Sequence, residues 1–163
     1  MIVWTIRVSL AFYVLALALL IAGRGSSWKL ARAAWTLAFL FYLAHIVAAF
    51  HFAHDWSHAN AYEHTARRTA EVVGLDWGGG LYVNYIFTAA WLIDVGWRWV
   101  DAAGYRSRQR WITWLLGAFF AFIAINATII FAAGPIRWAG IAACVALVVL
   151  WLSIRLQKGE RPV

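Results

Sequence analysis

Five apolar runs, residues 2–22, 30–53, 81–100, 111–132 and 136–154, alternate with short polar connections along the chain. An α-helix rises about 1.5 Å per residue, so roughly 20 apolar residues cross a hydrocarbon core about 30 Å thick. Each run meets that length. The pattern predicts an all-α polytopic membrane protein, a single transmembrane bundle over residues 1–163 with five spanning helices. The first run is long for a secretory h-region and ends in "GRGSS" without a small-residue cleavage site, so it reads as a retained helix. The connections are "GRGSSWK", a longer loop over 54–80, "DAAGYRSRQR", the tight "AGP" turn and a tail ending in "QKGERPV".

Composition agrees with that pattern. Hydrophobic residues make up 64% of the chain and charged ones 13%, and the mean hydropathy is +0.71, well outside the range of soluble domains. No separate soluble domain fits between the runs. A net charge of +7 could suggest nucleic acid, but the basic residues sit at the ends of apolar runs, where they act as topology signals. No nucleic-acid partner is expected.

Ten of the fourteen Lys and Arg residues fall on one side: Arg24, Lys29, Arg32, Arg98, Arg106, Arg108, Arg110, Arg155, Lys158 and Arg161. The opposite connections hold Arg67, Arg68 and Arg137 together with Asp55, Glu63, Glu71 and Asp76. Basic flanks are retained in the cytoplasm, which predicts N-terminus outside and C-terminus cytoplasmic in a cell membrane, the inner membrane in a bacterium. The loop over 54–80 then lies outside. Many of the tryptophans, among them Trp28, Trp77, Trp97, Trp99, Trp111 and Trp138, cluster near the predicted interfaces as an aromatic belt. The expected partners are the lipid bilayer and either a homo-oligomer or a larger membrane complex.

Candidate chemistry concentrates in "HFAHDWSH", His51 to His58, at the outer end of the second run. No Gly or Pro occurs from there until Gly74, so the helix is expected to continue as an amphipathic extension. On a continuous helix His51, His54 and His58 fall within roughly 60° of one another, with Asp55 bordering the stripe. Imidazoles at i and i+4 can hold one metal from a single face. These three residues with Asp55 are the candidate metal ligands, for copper or zinc, since no thiolate is near. The opposite face carries Glu63, Arg67 and Glu71 at ion-pair spacing.

Supporting positions are Arg7, Asn84, His64, Tyr62 and Asn126. An arginine inside a span needs a partner, and Arg7 is expected to meet Asp55, Asp76 or a bound anionic group, or to snorkel to the surface. Asn126 also suits helix packing, and His45 suits an interhelical hydrogen bond or an axial position on a tetrapyrrole. At the inner end Asp94 is expected in a structural ion pair with Arg98, at i+4, or Arg32. Gly78, Gly79 and Gly80 predict a tight turn into the third span, and lone Cys144 reads as a small core residue.

Two further readings accompany the metal site. One is an accessory subunit contacting a partner or a haem or chlorophyll-type pigment; the other is a metal-dependent membrane hydrolase in which the ion activates water. "HDWSH" has the frame of a zincin motif, but Asp stands where the general-base Glu belongs. With five histidines, all on the second run or its extension, large histidine-rich di-iron sites and cross-helix di-haem ligation are excluded.

Overall fold

In the computed structural model, residues 2–23 and 27–159 are described, with only the backbone at 158 and 159. Arg24 and Arg161, two of the basic residues in the charge asymmetry, lie outside them. The described chain is all-helical: α1 Ile2–Ala22, α2 Ser27–Ala53, α3 His58–Val73, α4 Gly80–Val100, α5 Ala102–Ser107, α6 Arg110–Ile125 and α7 Pro135–Gly159, with a π turn at Asn126–Ile130 extending α6. Four segments are long and apolar enough to cross a membrane: Ile2–Ala22, Ser27–Ala53, Arg110–Ile130 and Pro135–Gln157. The fifth predicted span, α4, matches α1 in length at 21 residues but carries Asn84, Asp94 and Arg98.

Small residues and aromatics divide the packing between them. Ala16 of α1 and Ala31, Ala34 and Ala38 of α2 are buried, which lets the two backbones approach closely. The approach is fixed by Ser9 Oγ donating to the Ala38 carbonyl at 2.8 Å and by His45 Nδ1, 3.0 Å from the Ile2 carbonyl. Tyr13, Trp35, Phe39, Tyr42, Phe87, Trp91 and Phe120 form a buried aromatic core joining α1, α2, α4 and α6. The Trp35 and Trp91 rings lie 5.3 Å apart, and Phe120 packs edge-on against Trp35 at 5.4 Å. Lipid tails are as apolar as leucine, so this close packing, more than water exclusion, is what favours association inside a membrane.

α4 runs antiparallel to α2: Tyr42 pairs with Thr88 at 3.0 Å near the middle of both helices, and Trp99 Nε1 donates to Thr36 Oγ1 at 3.0 Å near the C-terminal end of α4. This gives the bundle a histidine end, with α3, and an arginine end, with α5.

Two expectations about helix continuity fail. α2 does not extend through the histidine stretch, because Asp55 (φ 47°) and Trp56 (φ 58°) adopt left-handed backbone and the chain turns. Trp56 N–H reaches back to the Phe50 carbonyl at 3.0 Å, closing the helix end in a Schellman-like bond. Ser57 then caps α3, its Oγ accepting from the Asn60 N–H at 3.3 Å. An aspartate that tolerates the left-handed region and a serine cap two residues later outweigh the absence of Gly and Pro. The amphipathic helix therefore exists, but as a separate element.

The second failure is at 126–130, where the expected plain helix widens into a π turn, with Phe131 N–H bonding to the Asn126 carbonyl at 2.9 Å. Asn126 Nδ2 and Thr128 Oγ1 bond back to the Phe122 and Ala124 carbonyls, competing with the regular ladder.

α3 ends where expected, at Gly74 (φ 74°). It is held by Arg68, which bonds Glu71 at 2.7 Å and the Phe131 carbonyl at 2.9 Å. Beneath it the chain returns through Gly78, where a Cβ would stand 2.6 Å from the Tyr62 carbonyl oxygen, so only glycine fits.

Candidate functional site

The break after Ala53 disperses the histidine stripe. His51 is exposed and accepts from Trp56 Nε1 at 3.3 Å. His58 sits beyond the turn, its ring 5.7 Å from Tyr82 and 5.9 Å from Tyr85. His54 alone turns toward another imidazole, that of His64 on α3, with ring centroids 5.2 Å apart and tilted by 66°. Partial burial, and then the neighbouring His64, hold the His54 imidazole below its ordinary pKa of 6.5, favouring the neutral ring. Asp55 is exposed, and its backbone is part of the turn.

Among the described residues, no three His, Cys, Asp or Glu side chains come together in a group that could hold a metal ion. Tyr62 stands near Tyr82, 6.2 Å between rings, and Asn126 bonds within its own helix. Arg7 meets neither Asp55 nor Asp76; its guanidinium lies 5.1 Å from the Trp4 ring centroid.

What the histidine end does enclose is a chamber of about 430 Å³, walled by α1, α2, α3, α4 and α6. Its floor is the aromatic core: Tyr13, Tyr42, Phe87, Trp91 and Phe120. Its polar residues include His45, His54, Thr65, Asn84, Tyr85 and Thr88, and no Asp, Glu, Lys or Arg lines it.

Hydrogen-bond roles follow from the protein partners. Thr88 donates to the Asn84 carbonyl at 2.8 Å, so its pairing with Tyr42 makes the Tyr42 hydroxyl the donor. Ser9 and Thr65 likewise spend their protons on backbone carbonyls. His45 Nδ1 faces the Ile2 carbonyl and must carry the proton there, leaving the neutral ring a lone pair on Nε2. The chamber therefore offers acceptors at Ser9, Thr65 and His45, and groups that can donate at Asn84 and Tyr85. The Trp91 indole N–H, buried at the floor, has no hydrogen-bond partner in the protein.

The arginine end is a buried ionic network, in which Arg98 Nη1 and Arg32 Nε remain without a hydrogen-bond partner in the protein. Asp94, 2% exposed, accepts from Arg98 Nε at 2.8 Å, Tyr105 Oη at 2.9 Å and Arg108 at 3.5 Å. Arg98 is further enclosed by the Trp35 and Tyr105 rings at 4.7 and 4.6 Å. Arg32 contacts the Arg98 carbonyl at 3.3 Å and stacks on Trp99 at 4.0 Å, without reaching the carboxylate. Tyr105 and Arg108 escape sequence reasoning because they return on α5 and the loop after it. The spacing 87, 91 and 94 on one face of α4 was the signal that could have found the chamber floor and the buried carboxylate together.

Comparison with known proteins returns no matching family model, curated protein or solved structure, so the geometry of these two ends carries the functional reading.

Proposed function

We propose that this is a cell-membrane protein of five spans, N-terminus outside and C-terminus cytoplasmic, that binds a neutral, ring-bearing amphipathic molecule in the chamber at its outer end. The topology is supported by the asymmetry of basic residues and by the antiparallel pairing of α4 with α2 through Tyr42–Thr88 and Thr36–Trp99. The ion pair inside α4 offsets the charges that lower its hydropathy.

The observation carrying the ligand class is the chamber: about 430 Å³, aromatic below, polar above and free of formal charge. That volume lies within the ~300–1,000 Å³ usual for small-molecule sites. A charged ligand would find no counter-charge there. A flat ring stacks on the aromatic floor, and carbonyl or hydroxyl oxygens on its rim match Asn84, Tyr85 and the His45 lone pair. These are the features of membrane quinones and quinols.

The test is a titration of purified protein with a short-chain benzoquinone, read by quenching of tryptophan fluorescence. Saturable quenching is expected, weakened at least tenfold in an N84L/Y85F variant that keeps the wild-type melting temperature. Linear, non-saturating quenching equal in both proteins would overturn the reading.

A second reading, copper or zinc, rests on the facing pair His54 and His64. Two imidazoles fall short of the three or four protein ligands of ordinary zinc sites, so the remainder would come from a second chain or solvent. Metal bound to wild type and lost in both H54A and H64A favours it.

A further inference from the structure

A second cavity, of about 660 Å³, lies between α1, α6 with its π turn, and α7. Its walls are apolar and mostly small: Ala11 on α1, Ala121 and Ala124 on α6, and Ala139 and Ala143 on α7. Thr128 also lines it, but its hydroxyl proton is already given to the Ala124 carbonyl. The one charged residue in the lining is Arg7.

Length and charge together identify an occupant. The α1 wall runs from Arg7 to Leu17, ten residues or about 15 Å along the axis, a length comparable to that of an acyl chain in one leaflet of a ~30 Å hydrocarbon core. Arg7 lies about 7.5 Å from the start of α1 at Ile2. The long Arg7 side chain can therefore snorkel toward the headgroups from the outer end of an apolar trough. Among the described residues no carboxylate pairs with that guanidinium, whose observed neighbour is the Trp4 ring at 5.1 Å.

We propose that this trough is a binding site for an anionic phospholipid of the surrounding leaflet, one acyl chain lying between α1 and α7 and the phosphate-bearing headgroup held at Arg7. Small side chains let the chain lie close to the helix backbones, and the guanidinium gives a phosphate charge-assisted hydrogen bonds. The site is separate from the chamber of the proposed function. Leu10, Tyr13 and Ala124 line both cavities and form the wall between them, while Arg7 lines only the trough.

Native mass spectrometry of the full chain, released from micelles containing equal phosphatidylglycerol and phosphatidylcholine, tests this directly. The wild type is expected to retain one phosphatidylglycerol, with about a fivefold preference over phosphatidylcholine, the ratio set by one interfacial cation. R7Q should remove the preference and R7K keep it. A143F should reduce retention of both lipids by filling the trough; A11L, on the facing wall, serves if A143F does not fold. Equal retention of the two lipids by wild type, or a preference unchanged in R7Q, would overturn the proposal, as would a second copy of the chain seated there in place of lipid. Quinone quenching should be unchanged in R7Q, so failure of this site and failure of the chamber reading are told apart.

Discussion

Replacing Asp94 by Asn strips the charge from the arginine end while leaving an amide oxygen in the place of a carboxylate oxygen. Arg98 and Asp94 side chains are 6% and 1% exposed and Arg108 is 9% exposed, so solvent screens little of the loss. Of the three bonds to Asp94, those at 2.8 and 2.9 Å are strong and the Arg108 contact at 3.5 Å adds little. The amide oxygen keeps the Tyr105 bond, so the loss is mainly that of the buried pair, about 3–5 kcal/mol, because Arg98 stays buried without its counter-charge. For a chain of this size each kcal/mol moves the melting temperature by about 2–4 °C, so D94N should melt roughly 6–20 °C lower. Asp94→Leu lacks the acceptor as well and should fall further. In D94L/R98M much of the loss should return, since an apolar pair of similar volume replaces a buried ion pair at little cost. Thermal unfolding in mild detergent, followed by circular dichroism, reads all three variants. A D94N protein melting within 2 °C of wild type, or a double variant no better than D94L, would refute the description of this network as buried and mutually compensating.

The helix break makes an opposite-sign prediction at Asp55. At φ 47° glycine is favoured over alanine by about 1–2 kcal/mol, whereas in a continuous helix alanine would win by about 1 kcal/mol. D55G should therefore melt above D55A, and the reverse order would restore the continuous helix. Stability should also fall as pH drops. The folded His54 pKa lies below the unfolded value near 6.5, so the unfolded chain binds more protons through that range and gains on the native state. Melting temperatures measured from pH 7.5 to 5.0 should decline in wild type and decline less in H54Q; identical slopes would contradict the placement of His54 beside His64. Elemental analysis is expected to show less than one copper or zinc per chain, unaffected by H51A or H58A. A full equivalent lost in either variant would show that the imidazoles converge after all.

The helices were legible because apolar periodicity and length are local properties: α1 runs Ile2–Ala22 as its sequence run does, and α4 begins one residue early. The turn at Asp55 and Trp56 was not, since left-handed backbone at non-glycine residues is set by a cap and a returning chain. That single turn decides the candidate site: it separates three histidines that spacing alone would align and brings His54 to His64 on another helix. Asp94 and Arg98, four residues apart on one helix, could be read from the chain, whereas Tyr105 and Arg108 arrive from beyond α4. The chamber as a whole is not legible in sequence, because its lining is drawn from five helices and only the floor positions Phe87 and Trp91 share a face that spacing can show.

Its occupancy is the measurement that bears most directly on the account. Protein purified gently from its native membrane should yield, on organic extraction and mass spectrometry, about one neutral ring-bearing molecule per chain. In a variant with Ala49 in the chamber wall enlarged to Trp, that molecule should be absent while the bundle remains folded. Extraction of phospholipid alone from the wild type, or a ring-bearing molecule retained at the same level with the chamber filled, would contradict it.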